Sequence, residues 1–585
     1  MCGIFAVVGN TINQDKVTAA LSTLRKRGPD DMGSLIFPGC TLAQTRLAIV
    51  DLSPGGHQPM QDTRAPHAIT FNGEIYNYRE LRRDLESKGH VFQSDSDTET
   101  ILKAYTEYGE RCIEHLDGMF ACAIWDSEKK KLFLARDRFG KKPLYYATDA
   151  SGALVIASEI KALIAYGIKP SIDPRGIDAY LTLMYLPPWM TFFSNVHTLP
   201  PAHTATYQNG TLTTHRYWRL EESAPLTISY GEAKEETERL FDAAVKKRMI
   251  ADVEIGAFLS GGIDSTLVTA HASKYASGKI KTFSIGYGTY INELPFADEA
   301  AKVIGTDHHT REVTTALTDI LEDVAQYLDE PQADSANLAQ SILSGFASEK
   351  VKVALSGDGG DELFLGYGSY FAYWNRPKIV TLKNALFSNP LREHLRNNTM
   401  FTLQMRQRLM KESLAGSRCY IHSDVAKIGT NDAHAINLFD LTTTLPGMFL
   451  TKVDRMSMMH GLEVRSPFLD TELAEFAYRL PIEYKMSHHA GKLILKDILA
   501  DTMPRVFVDR KKQGFGAPVR KWLQEGPIQA YVRQKFGDDA RIFEHLKKDE
   551  TQTFVEHTLT NDDQKDYYRL WVLLCLELWL EKHNN

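Results

Sequence analysis

Two apolar runs, Val253–Leu259 and Val351–Leu355, each end in a glycine-rich turn, and strand-like and helix-like segments alternate between them. Asp264–Tyr275 and Phe296–Ile304 carry helical patterning, and Lys281–Ile285 reads as a further buried strand. Such alternation folds as a parallel sheet with helices on its faces. In a parallel sheet, the loops at the carboxyl ends of the strands are where ligands collect. The first loop, Ser260-Gly261-Gly262-Ile263-Asp264-Ser265, combines backbone N–H groups unobstructed by Cβ atoms, two hydroxyls and a helix N-terminus, a combination that suits pyrophosphate. Asp264 would repel a bare phosphate, which points to a bridging Mg²⁺. No lysine follows the glycines, so this is not a Walker A loop. The second loop, Ser356-Gly357-Asp358-Gly359-Gly360-Asp361-Glu362, gathers carboxylates and a hydroxyl around three glycines. A plain turn explains either loop alone; the two together fit nucleotide and metal better.

The segment before this core is patterned differently. Residues 1 to about 210 are strand-rich, with short apolar runs at Ile4–Val8, Leu42–Val50, Ala68–Phe71, Ala121–Trp125, Leu132–Ala135 and Ala153–Ala157. Helical patterns fall at Lys16–Arg27, Tyr78–Lys88 and Thr98–Tyr108, so layered sheets with helices outside are expected. Glu221–Tyr230 reads as a linker and Gly231–Met249 as an amphipathic helix; beyond about residue 365 the pattern is mostly helical. The expected domains are 1–212 and 228–585.

Charge and composition exclude several classes. The 67 basic and 74 acidic residues give a net charge of −7, which argues against a general nucleic-acid binder. Hydrophobic residues make up 43% and charged residues 24%, values that exclude a disordered chain and a disulfide scaffold. The longest apolar run, Leu570–Leu576, is too short to span a membrane. The N-terminus has no basic region ahead of its short apolar stretch and does not read as a signal peptide. None of the six cysteines forms a CxxC pair, so a reducing, cytoplasmic setting with free thiols is expected.

Ordered motifs then connect the two halves. Cys2-Gly3-Ile4, Arg27-Gly28-Pro29-Asp30, Phe71-Asn72-Gly73-Glu74-Ile75-Tyr76-Asn77 and Ser96-Asp97 resemble a class II glutamine amidotransferase domain. Ser260–Ser265, Ser356–Glu362, Val453-Asp454-Arg455, Leu462–Asp470 and Arg510-Lys511-Lys512-Gln513-Gly514-Phe515 resemble the ATP pyrophosphatase domain of glutamine-hydrolysing asparagine synthetases. The motifs occur in the family's order and span nearly the whole chain. The resemblance implies an N-terminal αββα sandwich of the Ntn-hydrolase type and a C-terminal parallel-sheet ATP pyrophosphatase domain with many helices.

For the first domain, the resemblance implies removal of Met1, leaving Cys2 as both nucleophile and chain terminus. A free α-amine, with a pKa near ~7.7–8.0, can then act as base for the thiol. Arg46 matches the partner of the glutamine α-carboxylate, Asp97 that of its α-ammonium, and Asn72 with the Gly73 N–H an oxyanion hole. Ile49, Val50 and Glu74 complete the expected glutamine site.

For the second domain, the resemblance implies activation of a carboxylate as an acyl-adenylate. Leu259, Ser260, Gly261, Gly262, Asp264, Ser265, Ile285, Ser356 and Gly357 match ATP contacts, and Asp264 and Asp361 are the Mg²⁺ ligand candidates. Lys512 matches a lysine that neutralises the α-phosphate. Asp358 stands where some members carry Glu, which keeps the charge and shortens the reach by one methylene. Ammonia would travel from Cys2 to the adenylate through an apolar passage; Met456–Met459 is either part of its lining or a packed helix. The implied substrates are glutamine, ATP and aspartate, with no nucleic acid or membrane partner, and homodimers are common in the family. Three alternatives stay open: amidation of another carboxylate, lactam formation without external ammonia, and a non-catalytic scaffold. Because Cys2, Arg46, Asn72 and Asp97 are all present, the last two rank below the first.

Overall fold

The computed structural model describes residues 1–220, 225–287, 292–313, 317–370, 390–412, 433–510, 518–561 and 563–583. Its first twelve strands are β1 (Cys2–Val8), β2 (Asp31–Phe37), β3 (Cys40–Arg46), β4 (Met60–Gln61), β5 (His67–Ile75), β6 (Gly118–Asp126), β7 (Lys131–Arg136), β8 (Tyr145–Thr148), β9 (Leu154–Ala157), β10 (His197–Thr198), β11 (His203–Gln208) and β12 (Thr211–Arg216). They form two six-stranded sheets, in the orders β10-β8-β9-β1-β3-β2 and β12-β11-β7-β6-β5-β4, with every pairing antiparallel. β1 and β3 lie against β5, so the sheets face each other. The helices Gln14–Thr23 and Ile160–Tyr166 cover the first sheet, and Asp97–Tyr108 covers β5 of the second. These layers make an αββα sandwich. Its inner strands are buried along almost their whole length, which is why β1 and β6 read as continuous apolar runs rather than alternating ones.

The second body is built on a parallel sheet, β15-β14-β13-β16-β17. Its strands are β13 (Ile255–Phe258), β14 (Lys281–Gly286), β15 (Asp307–Glu312), β16 (Val353–Leu355) and β17 (Glu463–Arg465). Ile255 registers with Val353 and Phe258 with Phe283, so the two glycine-rich loops emerge side by side at the carboxyl edge. Ser229 opens the helix Tyr230–Arg248 with a full capping box closed by Glu232. Helices make up most of its other described residues. The last one, Gln564–His583, docks its indoles onto the segment 328–333: Trp571 Nε1 donates to the Ala333 carbonyl and Trp579 Nε1 to that of Leu328, both at 3.0 Å.

Three sequence expectations change. The helix expected over Lys16–Arg27 spans Gln14–Thr23, because the chain turns at Leu24 to carry Arg27 into the interior. The strand expected over Leu42–Val50 stops at Arg46, and residues 47–51 leave the sheet. The helical region beyond residue 365 also contributes β17 to the parallel sheet. Met456 and Met458 are buried in the helix Thr451–Met458, the packed arrangement of the two considered.

Candidate active sites

The first site lies at the seam of the antiparallel sheets. Cys2 opens β1, pairs with Arg46 on β3, and its backbone nitrogen donates to Asn72 Oδ1 across the sandwich at 3.0 Å. Asn72, Gly73 and Glu74 are consecutive on β5. The Asn72 Nδ2 group is buried with no hydrogen-bond partner, a donor held ready beside Cys2. Gly73 has φ +152°, and a Cβ there would stand 2.0 Å from the Met119 carbonyl oxygen, so β5 and β6 approach this closely only with glycine at the position. Arg46 turns into the segment that leaves the sheet. Its Nη2 donates to the Val50 and Asp51 carbonyls at 3.0 and 2.6 Å, which brings Arg46, Ile49 and Val50 together.

Three carboxylates and one guanidinium close this site. Asp97, at the start of the helix capped by Ser96, accepts from the Ile75 N–H at 3.0 Å. Burial pushes its carboxyl up to about 6 despite that bond. Glu74 is raised well above the usual carboxylate range by burial and by Glu463, while Arg465 beside Glu463 holds the latter low. Arg465 bonds Glu463 at 2.6 Å and lies 3.5 Å from Glu74, so the parallel-sheet body contributes the far wall. Met1 is buried here, its amino group 3.3 Å from Glu463. The Glu463–Arg465 contribution escaped sequence reasoning; the Glu-x-Arg spacing within the quoted motif was its only trace.

The second site is a cavity of about 850 Å³ at the carboxyl edge of the parallel sheet. Leu259, Ser260, Gly262, Asp264, Ser265, Ile285, Ser356, Gly357, Asp358 and Asp361 all line it, whereas Gly261 does not. The loop after β13 is preorganised: Ser260 Oγ lies 3.0 Å from Ser265 Oγ and accepts from the Gly262 N–H at 3.2 Å. The two loops abut, and a Cβ on Gly357 would meet the Asp264 Cβ at 2.7 Å. Ser356 donates to Asp358 at 2.6 Å; burial nevertheless raises the Asp358 carboxyl, with Lys452 partly opposing the rise. Burial and the neighbouring Asp361 push Glu362 up to about 8, and Tyr367 donates to it at 2.5 Å. Lys512 lies outside the described residues.

Lys492 is the functional candidate missed in the sequence. Its ammonium bonds Asp264 and lies 2.8 Å from Asp361, inside the cavity. The residue sits in the left-handed region at φ +56°, where a non-glycine residue pays of order 1 kcal/mol. A Gly-Lys pair directly before the helix Leu493–Leu499 was the available signal. The convergence of two carboxylates on one cation shows that Asp264 and Asp361 can share a positive ligand, and their oxygen donors suit Mg²⁺ held jointly with phosphates. Among the described residues no group of three or more His, Cys, Asp or Glu could by itself hold a metal ion.

The chain matches two family models: Glutamine amidotransferase domain over residues 1–218 and Asparagine synthase over residues 236–581. It belongs to the asparagine synthase family, and it is an amidotransferase ligase of the glutamine-dependent kind. A "Putative asparagine synthetase [glutamine-hydrolyzing]" of Mycobacterium bovis is 33% identical, the alignment covering 99% of this chain and 97% of that protein. "Asparagine synthetase [glutamine-hydrolyzing] 1" of Bacillus subtilis is 29% identical over 99% of this chain and 96% of its own length. "Amidase chry2" of Gibberella zeae is 26% identical over 91% of each chain.

Proposed function

We propose that the chain makes L-asparagine from L-aspartate, drawing nitrogen from glutamine and energy from the cleavage of ATP to AMP and pyrophosphate. The observation that carries this reading is the Cys2–Asn72 contact, with a buried unpartnered amide donor beside it, on the same chain as the 850 Å³ cavity. After removal of Met1, the Cys2 amine takes the thiol proton and the thiolate attacks the glutamine amide carbon. Asn72 Nδ2 and the Gly73 N–H hold the oxyanion, Arg46 and Asp97 hold the two ends of glutamine, and Glu74 borders it. Ammonia leaves, and water releases glutamate from the γ-glutamyl thioester.

In the second cavity the acceptor carboxylate attacks the α-phosphate of ATP. Ser260–Ser265, Ser356 and Gly357 bind the phosphates, with Leu259 and Ile285 beside the adenosine. Asp264 and Asp361 would hold Mg²⁺, which supplies charge neutralisation for the triphosphate. Asp358 faces the reacting carboxylate, and Lys492 and Lys512 supply positive charge. Ammonia then attacks the acyl carbon and AMP departs. Among the described residues Cys2, Cys40, Cys112, Cys122 and Cys575 are free, in keeping with the cytoplasmic setting expected.

Product analysis by mass spectrometry, with ATP, glutamine and a panel of acids, tests the reading. Asparagine from aspartate is the expected outcome; failure of aspartate to support ATP–pyrophosphate exchange would remove it. A second reading, the same two steps on another carboxylate, is favoured by the likeness to a protein named an amidase and by Asp358 in place of Glu. Amidation of a different acid from the panel would select it.

A further inference from the structure

Arg27 is fully buried, and its guanidinium spends its donors in three directions. Nε donates to the carbonyl of Cys2 at 3.2 Å. Nη1 bonds Glu159 at 3.0 Å and Asp454 at 2.8 Å, and Nη2 bonds the second oxygen of Asp454 at 3.1 Å. Asp454 belongs to the helix Thr451–Met458 of the other body. The bidentate fork fixes the guanidinium plane as an ammonium could not. The carbonyl it grips belongs to the residue that carries both nucleophile and base. A rotation of the fork therefore displaces both reacting groups at once.

The same helix faces the ATP-side cavity. Lys452 precedes Asp454 by two positions, about 200° around a helix of 3.6 residues per turn, so the two side chains leave on nearly opposite sides. Lys452 lines the cavity and bonds Asp334 at 2.8 Å. It is close enough to Asp358 to draw that carboxyl down. An anionic substrate entering the cavity competes with Asp334 for this ammonium. The neighbouring Arg455 bonds Tyr145 at 3.2 Å and lies 3.5 Å from Glu159, tying the rest of the turn to the antiparallel body. The helix is thus clamped at one face by the glutaminase side and touched at the other by whatever fills the cavity.

We propose that Arg27 is a positioning residue for glutamine hydrolysis, that Asp454 sets its orientation, and that the helix Thr451–Met458 passes the state of the ATP-side cavity to the residue bearing the nucleophile. The inference rests on the reading of Cys2 as the glutaminase nucleophile. It is tested on the full mature chain by glutamate release, with and without ATP plus aspartate, and separately by ammonia-dependent amide synthesis.

For Asp454→Asn and Arg27→Lys, kcat for glutamate release is expected to fall about tenfold or more, the scale of loss that follows small misplacements of reacting groups. KM for glutamine and ammonia-dependent synthesis should stay within about twofold, since the groups that bind glutamine and ATP are untouched. Adding ATP and aspartate should change glutamate release by the wild type and leave that of Asp454→Asn unchanged. Unaltered kcat in both variants, or an equal fall in both activities as a purely structural role would give, overturns the proposal. Indifference of the wild type to ATP and aspartate overturns it too. If Asp454→Asn does not fold, Asp454→Glu carries the same test, because it keeps the charge and shifts it by one methylene; wild-type kcat there is likewise fatal. Absence of glutamate release by the wild type itself overturns the functional reading first, and this inference with it.

Discussion

The ammonium of Lys492 stands 2.8 Å from the carboxylate of Asp361 and bonds Asp264 as well, at the point where the two glycine-rich loops meet. The two loops would otherwise bring like charges together, so the lysine offsets a repulsion that burial magnifies. Replacement by alanine removes that cation from the cavity. Lys492→Ala is expected to lower kcat for ammonia-dependent synthesis by about 10²–10³, the range for losing one preorganised charge at a reacting centre. Glutamate release from glutamine should continue. Steady-state assays of the two activities check this, and a parallel loss of both would refute it.

Cys2→Ala separates the sites from the opposite side. Glutamine-dependent synthesis should vanish, because the thiol that forms the thioester is gone. Ammonia-dependent synthesis should persist within about twofold of wild type. Product formation with ammonium salt in place of glutamine is the measurement.

The pH dependence of glutamine binding follows from Asp97. Its carboxyl titrates at about 6, raised by burial, so it is an anion above that pH and neutral below it. Only the anion attracts the substrate ammonium. KM for glutamine is therefore expected to rise as pH falls through 6, reaching about tenfold one pH unit below. Asp97→Asn should have a high KM that no longer varies across this range. A flat wild-type profile between pH 5 and 7.5 would count against the role.

Gly357→Ala probes the contact between the loops. The added methyl would stand 2.7 Å from the Asp264 Cβ and 3.1 Å from the Ser265 nitrogen, so the loops must part. ATP–pyrophosphate exchange should fall by at least about 10²-fold, as expected for displaced substrate contacts, while glutamate release is retained. Isotope exchange reads the first and a glutamate assay the second.

What could be read in the sequence was local. Ser260–Ser265 and Ser356–Glu362 announced themselves because each joins a fully apolar strand to a glycine turn, and both line one cavity. Asn72 and Gly73 were legible only through the family resemblance, since an Asn-Gly step read alone is an ordinary turn. The strand Asp307–Glu312 escaped notice because Asp-His-His-Thr-Arg-Glu is a polar sheet edge with no apolar face to reveal it. Lys492 and Glu463 were hidden differently. Lys492 acts on Asp361 and Asp264, more than a hundred positions away, and Glu463 acts on Glu74 in the other body; charged residues read locally look like ordinary surface. Arg27 and Asp454 are 427 positions apart, a pairing that no local pattern encodes.

The docking of Trp571 and Trp579 onto the carbonyls of Ala333 and Leu328 has a consequence for biosynthesis. The segment they fasten leads directly to Asp334 on the cavity wall, yet its anchors lie 238 and 251 positions later in the chain. The antiparallel sheets can pair while translation continues, but the wall of the ATP-side cavity waits for the helix Gln564–His583. A nascent chain stalled before residue 564 would thus lack the anchors of that wall.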